Sequence, residues 1–329
     1  MLTQRTAMSG EHSLIARYFR PLATDAGALG LIDDAAYLRC DDSDLVVTTD
    51  AIVEGVHFLP DDPPAGIARK ALRVNLSDLA AKGAVPAGFV LTLALRTVDA
   101  DWLTPFAGAL GEDAASFGCP LLGGDTVSTP GPLMISITAF GRVPKGRMVR
   151  RDGARVGDTV MVTGSIGDAA LGLDVLTRGV EAGDEAARNY LVGRYREPRP
   201  RSALAIAVRD HASAAMDVSD GLAGDLAKLC AASGVSAIVE ATRVPLSAPA
   251  RGIVDAGRAP LDRLLTGGDD YEILFTIAEN QSEAFMRMAE QAGIAPTAIG
   301  TIVEGSVAPR FVDDRGQPMT LSSTAYSHF

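Results

Sequence analysis

The chain has 329 residues, 47% hydrophobic and 22% charged, with a formal net charge of -11. That acidity excludes a nucleic-acid surface, which needs a basic stripe. No apolar run approaches the roughly 20 residues of a membrane span, and the length allows two domains with cores of their own. Thirty-four glycines against one tryptophan and 5% aromatics point to an α/β protein with many tight turns. The first residues, MLTQRTAMSGEHS, lack a basic start followed by an apolar stretch, so no signal peptide and a cytoplasmic location are expected. Cys40, Cys119 and Cys230 are scattered, with no CxxC and no His at ligand spacing, and are expected to be buried free thiols.

In chain order, residues 13–19 read as a short helix, followed by an acidic turn at Asp33-Asp34. Residues 45–49 predict a buried strand closed by Asp50. Apolar residues at Ile67, Ala71, Val74 and Leu79 predict a helix over 65–82, opened by Pro64. Asn75 and Asp78 interrupt its apolar face, where an Asp is costly unless paired, so a functional site and a buried salt bridge both stay open. A strand over 89–95, a helix over 101–117 and a strand over 133–140 follow. The polar, glycine-rich and basic stretch 141–158 reads as a junction, dividing residues 1–145 from 146–329. Beyond it come a strand at 159–163, a helix from Asp168, a helix at 201–209, a strand at 214–216 and a helix at 222–232. A strand at 271–277, a helix at 282–291 and strands at 297–303 and 308–312 close the chain. Mixed strands and helices in both halves imply two α/β or α+β domains.

The chemistry lies in carboxylates set beside Gly, Ser or Thr, or closing apolar runs: Asp34, Asp50, Asp78, Asp125, Asp217, Asp220 and Asp269-Asp270. Several such groups in one cleft require counter-cations, and hard oxygen donors suit Mg²⁺, which in such a setting accompanies phosphate. No GxxxxGK[ST], no protein-kinase motif set and no GxSxG is present, and the four histidines are dispersed. Phosphoryl chemistry would therefore run through metals and backbone amides. VVTTDAIVEGVHF places Thr48, Thr49 and Asp50 at a strand end, with a cap as the plain alternative; His57, between Val56 and Phe58, defaults to packing. LLGGDTVS reads as a strand ending in Gly123-Gly124-Asp125, where glycine lets backbone approach a ligand and a simple turn is the alternative. MDVSDGLAGDLAKL runs strand, turn, helix N-terminus, so free amides and the helix dipole favour phosphate at Ser219-Asp220, with an N-cap as the alternative. LLTGGDDYEILF repeats the theme, with two acids followed by Tyr271 and Glu272.

Taken in order, DDAA, TTDAIVEGVHF, NLSDLAAKGAVP, GGDT, DVSDGL and GGDDYEILFT resemble the thiamine-monophosphate kinase family over nearly the whole chain. The resemblance implies ATP-dependent phosphorylation of thiamine monophosphate to thiamine diphosphate by direct in-line transfer. It implies an N-terminal mixed-sheet domain whose sheets pair in a homodimeric barrel-like core, a C-terminal α+β domain, and an ATP cleft between them. By matching motif positions, Asp34, Thr48, Thr49, Asp50, Asp78, Asp125, Asp217 and Asp220 correspond to Mg²⁺ ligands, with Asp50, Asp125 and Asp220 central to catalysis. Gly124, Asp125, Arg151 and Ser219 correspond to ATP contacts, and His57, Asp269 and Tyr326 to contacts with the thiamine moiety. A K⁺ requirement is left open. Two departures stand out: Ile32 where the family usually has glycine, and Asp269 where it often has Glu. Sister enzymes of the same superfamily, aminoimidazole ribonucleotide synthetase first, and a non-catalytic nucleotide-binding protein are the alternatives.

Overall fold

A computed structural model describes residues 15–25, 40 and 42–321. The acidic pair at Asp33-Asp34, the Ile32 departure and Tyr326 lie outside the described residues. The chain divides into two compact units, one of residues 1–75 and 86–142, the other of residues 76–85 and 143–329.

The first unit holds a four-stranded sheet in the order β1-β4-β2-β3, with β1 Ser43–Val53, β2 Val85–Leu95, β3 Leu121–Ser128 and β4 Met134–Pro144. Helix α1, Pro64–Ala81, starts on the proline and matches the expected apolar periodicity; helix α2 is Ala100–Ser116, capped by the Asp99 side chain. The two helices are clipped together by a two-pronged bond from Arg73 to Asp113 (2.6 and 2.9 Å) and by Arg69 to Glu112 (2.8 Å). Two strand readings need correction. Asp50 does not close its strand, which runs on to Val53, and Gly123-Gly124-Asp125 lie inside β3 rather than at its end. The glycines misled because β3 runs parallel to β2 with Gly124 opposite Leu91, at φ +157°, where a Cβ would stand 1.9 Å from the Leu91 carbonyl oxygen. Only glycine admits that approach.

The second unit holds a six-stranded sheet in the order β10-β7-β9-β5-β8-β6. Its strands are β5 Thr159–Thr163, β6 Ala214–Asp217, β7 Ser236–Glu240, β8 Ile273–Ile277, β9 Pro296–Val303 and β10 Arg310–Val312. All neighbours pair antiparallel except β10 with β7. Alternation sorts the side chains: Val160, Val162, Met216 and Leu274 face one core with Leu222 and Leu226, while Met161, Ala215, Ile273 and Phe275 face another with Phe285 and Ala289. Burial on both faces explains why β5 and β8 carry consecutive apolar residues rather than a strict alternation.

Helices α3 Asp168–Thr177, α4 Glu185–Arg196, α5 Ala205–His211, α6 Leu222–Ser233, α7 Ala248–Asp255, α8 Leu261–Thr266 and α9 Glu279–Gln291 complete the unit. Of these, α4, α7 and α8, together with β7, escaped the sequence reading. Cys119 and Cys230 are buried free thiols, with burial pushing them to about 12 and about 11, whereas Cys40 is exposed, against expectation. Among the described residues no helix is long and apolar enough to cross a membrane.

A charge cluster lies inside this unit. Glu272 is fully buried and accepts from Arg194 (2.9 Å), from both prongs of Arg201 and from the Thr163 hydroxyl (2.7 Å). Asp270, also fully buried, accepts from the amides of Gly167 (2.6 Å) and Ala169 (3.2 Å) at the start of α3, while Arg194 donates to its carbonyl. Burial raises the Asp270 carboxyl well above the usual range, opposed by those amides and by Arg194. Removing one member of such a cluster leaves buried charge uncompensated. Glu272→Gln is therefore expected to lose on the order of 3 kcal/mol of stability, read as a lower urea midpoint; an unchanged midpoint would mean that the cluster carries no stability.

Candidate active site

In the first unit, β1 presents Thr48 and Asp50 on the same face as the buried Val46 and Ile52, whereas Thr49 points the other way with Leu45, Val47 and Ala51. The Thr49 hydroxyl donates to the Ile137 carbonyl (3.2 Å) and accepts from Thr138 (3.0 Å), both on the adjacent β4. Gly124 and Asp125 are exposed on β3, at the opposite edge of the sheet. Two strands intervene, so β1 and β3 stand on the order of 14 Å apart at about 4.8 Å per strand. The His57 ring is half-buried and tied to its own turn: its Nδ1 accepts from the Val53 amide (3.0 Å), which leaves Nε2 to carry the proton. The Lys70 amine holds the same turn through the His57 carbonyl (2.8 Å).

In the second unit, three motifs converge. The GGDDYE loop is laddered to the DVSD turn: Asp269 N donates to Ser219 O, Tyr271 N to Val218 O, and Val218 N to Glu272 O, each at 2.8 Å. The contact is backbone to backbone, since a Cβ on Gly268 would lie 2.3 Å from the Ser219 carbonyl oxygen. From the tail of α1, Ser77 places its hydroxyl 3.5 Å from the Tyr271 carbonyl oxygen. Lys82, just past the helix, donates to the Ala215 carbonyl (2.7 Å) on the edge strand β6, whose last residue is the buried Asp217. Asp78, Arg151 and Asp217 each lie close enough to Lys82 to act on its charge. Arg151 is exposed and forms a short helical turn with Asp152 and Gly153.

One expectation needs revision. The amides of Ser219 and Asp220 are taken: both donate to the buried Asp225 carboxylate (3.0 and 2.9 Å), which reaches back from the first turn of α6. Phosphate binding by these amides would require displacing Asp225. Lys228 in turn bridges Asp225 (2.9 Å) and Asp220. Burial raises the Asp225 carboxyl, while Lys228 and the Asp220 amide oppose the rise. Asp225, Lys228 and Lys82 were missed in the sequence. The signal was available, since Asp225 is an acid among apolar helix residues with a Lys three positions on.

Among the described residues no three His, Cys, Asp or Glu side chains form a ready metal cage. The donors present nonetheless fit Mg²⁺, which is usually held by one or two carboxylates with waters and substrate phosphates completing its shell. The carboxylates beside Lys82 and Arg151 are hard oxygen donors next to fixed cations, a composition suited to a metal–phosphate complex.

Burial first, and Arg151 second, lower the Lys82 amine from 10.5 to about 8, while Asp217 and Asp78 pull the other way. The unfolded chain keeps this proton up to its ordinary pKa, so between about pH 8 and 10.5 the unfolded state binds more protons and stability from this group rises with pH. Lys82→Met should abolish that rise; methyl-labelled lysine NMR should place the Lys82 midpoint near 8, and a midpoint near 10.5 would contradict the geometry.

Two family models match the chain: AIR synthase related protein, N-terminal domain, over residues 32–143, and AIR synthase related protein, C-terminal domain, over residues 155–311. A thiamine-monophosphate kinase of Salmonella typhimurium is 43% identical over 324 residues, covering 97% of this chain and 98% of the relative. The crystal structure of thiamine-monophosphate kinase from Stenotrophomonas maltophilia superposes with a TM-score of 0.82 at 39% identity, covering 91% of this chain and 94% of that one. A structure of AaThiL complexed with AMPPCP and TMP matches with a TM-score of 0.78 at 29% identity over 100% of both chains. The chain belongs to the thiamine-monophosphate kinase family of AIR synthase related proteins.

Proposed function

We infer that the protein transfers the γ-phosphate of ATP to thiamine monophosphate, giving thiamine diphosphate and ADP. The observation that carries this reading is 43% identity to a thiamine-monophosphate kinase over 97% of the chain. The AaThiL complex with AMPPCP and TMP, read as thiamine monophosphate, supports the same pair of substrates.

Asp34, Asp50, Asp78, Asp125, Asp217 and Asp220, with Thr48 and Thr49, are proposed to hold Mg²⁺. When bound, the metal would offset the charge of the polyphosphate and polarise its γ-phosphoryl group. Asp50, Asp125 and Asp220 are the carboxylates assigned to catalysis, and Asp220 would exchange its Lys228 partner on loading. Gly124 and Asp125 are proposed to contact ATP, Arg151 to supply a fixed cation to the phosphates, and the Ser219 hydroxyl to contact ATP. His57, Asp269 and Tyr326 are proposed to orient thiamine monophosphate, whose phosphate is the attacking group. That acceptor is already ionised near neutral pH, so no general base is required, and alignment of acceptor and donor carries the rate.

Residues of both units are proposed to act on one ATP, and two N-terminal units to pair their sheets in a homodimer. A cytoplasmic location is proposed with it, and a K⁺ requirement belongs to the same family reading.

Purified protein given ATP, Mg²⁺ and thiamine monophosphate should form thiamine diphosphate and equal ADP, with EDTA stopping both; absence of product would overturn the reading. Asp50→Asn and Asp125→Asn should each cut turnover by at least about 10²-fold. Their thermal midpoints should be unchanged or raised, because a repelling charge is removed. Near-normal turnover in either variant would remove that position from the metal assignment.

A further inference from the structure

Two of the described residues other than glycine have a left-handed backbone, and they are alternate positions of one loop: Asp269 at φ 72° and Tyr271 at φ 51°. For Asp this is tolerable; for a bulky aromatic it is a strained conformation that persists only where the surroundings enforce it. Here they do. The intervening Asp270 and the following Glu272 are fully buried and bonded to α3, Arg194 and Arg201, and the amides of Asp269 and Tyr271 are fixed to Ser219 and Val218. With Asp270 and Glu272 drawn inward, Asp269 and Tyr271 are left half-exposed. Their tips meet, the Tyr271 hydroxyl standing 3.4 Å from Asp269 Oδ1. A carboxylate beside an aromatic ring is a pairing suited to a flat organic cation, one group offering charge and the other a π face.

We propose that Tyr271 is a substrate-binding residue whose ring, held beside Asp269, receives the cationic thiazolium ring of thiamine monophosphate. This rests on the activity proposed above and deepens it, because it assigns recognition of the acceptor's positive ring to a residue that the motif comparison left without a role. The backbone strain is the cost of turning the ring toward the substrate instead of into the core that takes Asp270 and Glu272.

Steady-state kinetics of wild type, Tyr271→Phe and Tyr271→Asn test it. Asn accepts the left-handed backbone and deletes the ring; Phe keeps the ring and deletes the hydroxyl. Tyr271→Asn should raise KM for thiamine monophosphate about three- to thirty-fold, with KM for ATP and the melting temperature little changed, and Tyr271→Phe should stay near wild type. The proposal is overturned if Tyr271→Asn leaves KM for thiamine monophosphate within twofold. It is equally overturned if both KM values rise together, or if Tyr271→Phe loses as much as Tyr271→Asn. Wild-type turnover in the same experiment separates the failures: no product would sink the activity and the proposal with it, while normal turnover with an insensitive Tyr271→Asn sinks the proposal alone.

Discussion

Glu272, fully buried and held by two guanidinium groups and a threonine hydroxyl, fixes the geometry on which the candidate site residues of the second unit depend. A carboxylate there is tolerable only with its charge matched and its lone pairs satisfied. Once it is anchored, Val218 must bond to its carbonyl, and the DVSD turn is registered against the GGDDYE loop. Asp270 is anchored in the same way against the first turn of α3. Such buried charge is poor evidence for stability, but its bonds hold this stretch of chain in place, and the residues beside the anchors, Asp269 and Tyr271, are half-exposed.

A protein of net charge -11 that handles two polyanions must reverse its field locally. In the second unit cations stand among the acids: Lys82 feels Asp217 and Asp78, and Lys228 bridges Asp220 and Asp225. Burial and a like-charged neighbour lower the Lys82 amine to about 8, so that it stays a cation near neutral pH and an arriving anion would favour its charged form. The Asp225 carboxylate performs a different task, fixing two amides of the turn that carries Ser219 and Asp220. The site is thus shaped from inside the protein by groups that need not touch the substrate.

Much of the fold was legible. The period of Ile67, Ala71, Val74 and Leu79 gave α1, and the consecutive apolar residues within Thr159–Thr163 and Ile273–Ile277 gave strands buried on both faces. Glycine was a main source of error: Gly123-Gly124-Asp125 read as the end of a strand, with a turn as the alternative, and proved to lie inside one under close backbone approach. Short or polar elements such as Ser236–Glu240 and Glu185–Arg196 lack a strong period and went unseen. The motif residues could be named from their order, but their orientations could not. The outward turn of Tyr271 depends on bonds between segments about 50 residues apart, and the capture of the Ser219 amide by Asp225 depends on the path of the chain around Gly221. The alternation that separates Thr49 from Thr48 and Asp50 could have been read once the strand was extended past Asp50.

With an ionised acceptor and fixed donors, the chain's work is to align two phosphates for a single displacement. The most direct test is the stereochemical course of transfer from ATP made chiral at its γ-phosphorus to thiamine monophosphate. Inversion at phosphorus is expected for one in-line displacement. Retention would mean two displacements through a phosphorylated side chain and would contradict a site that works by alignment alone.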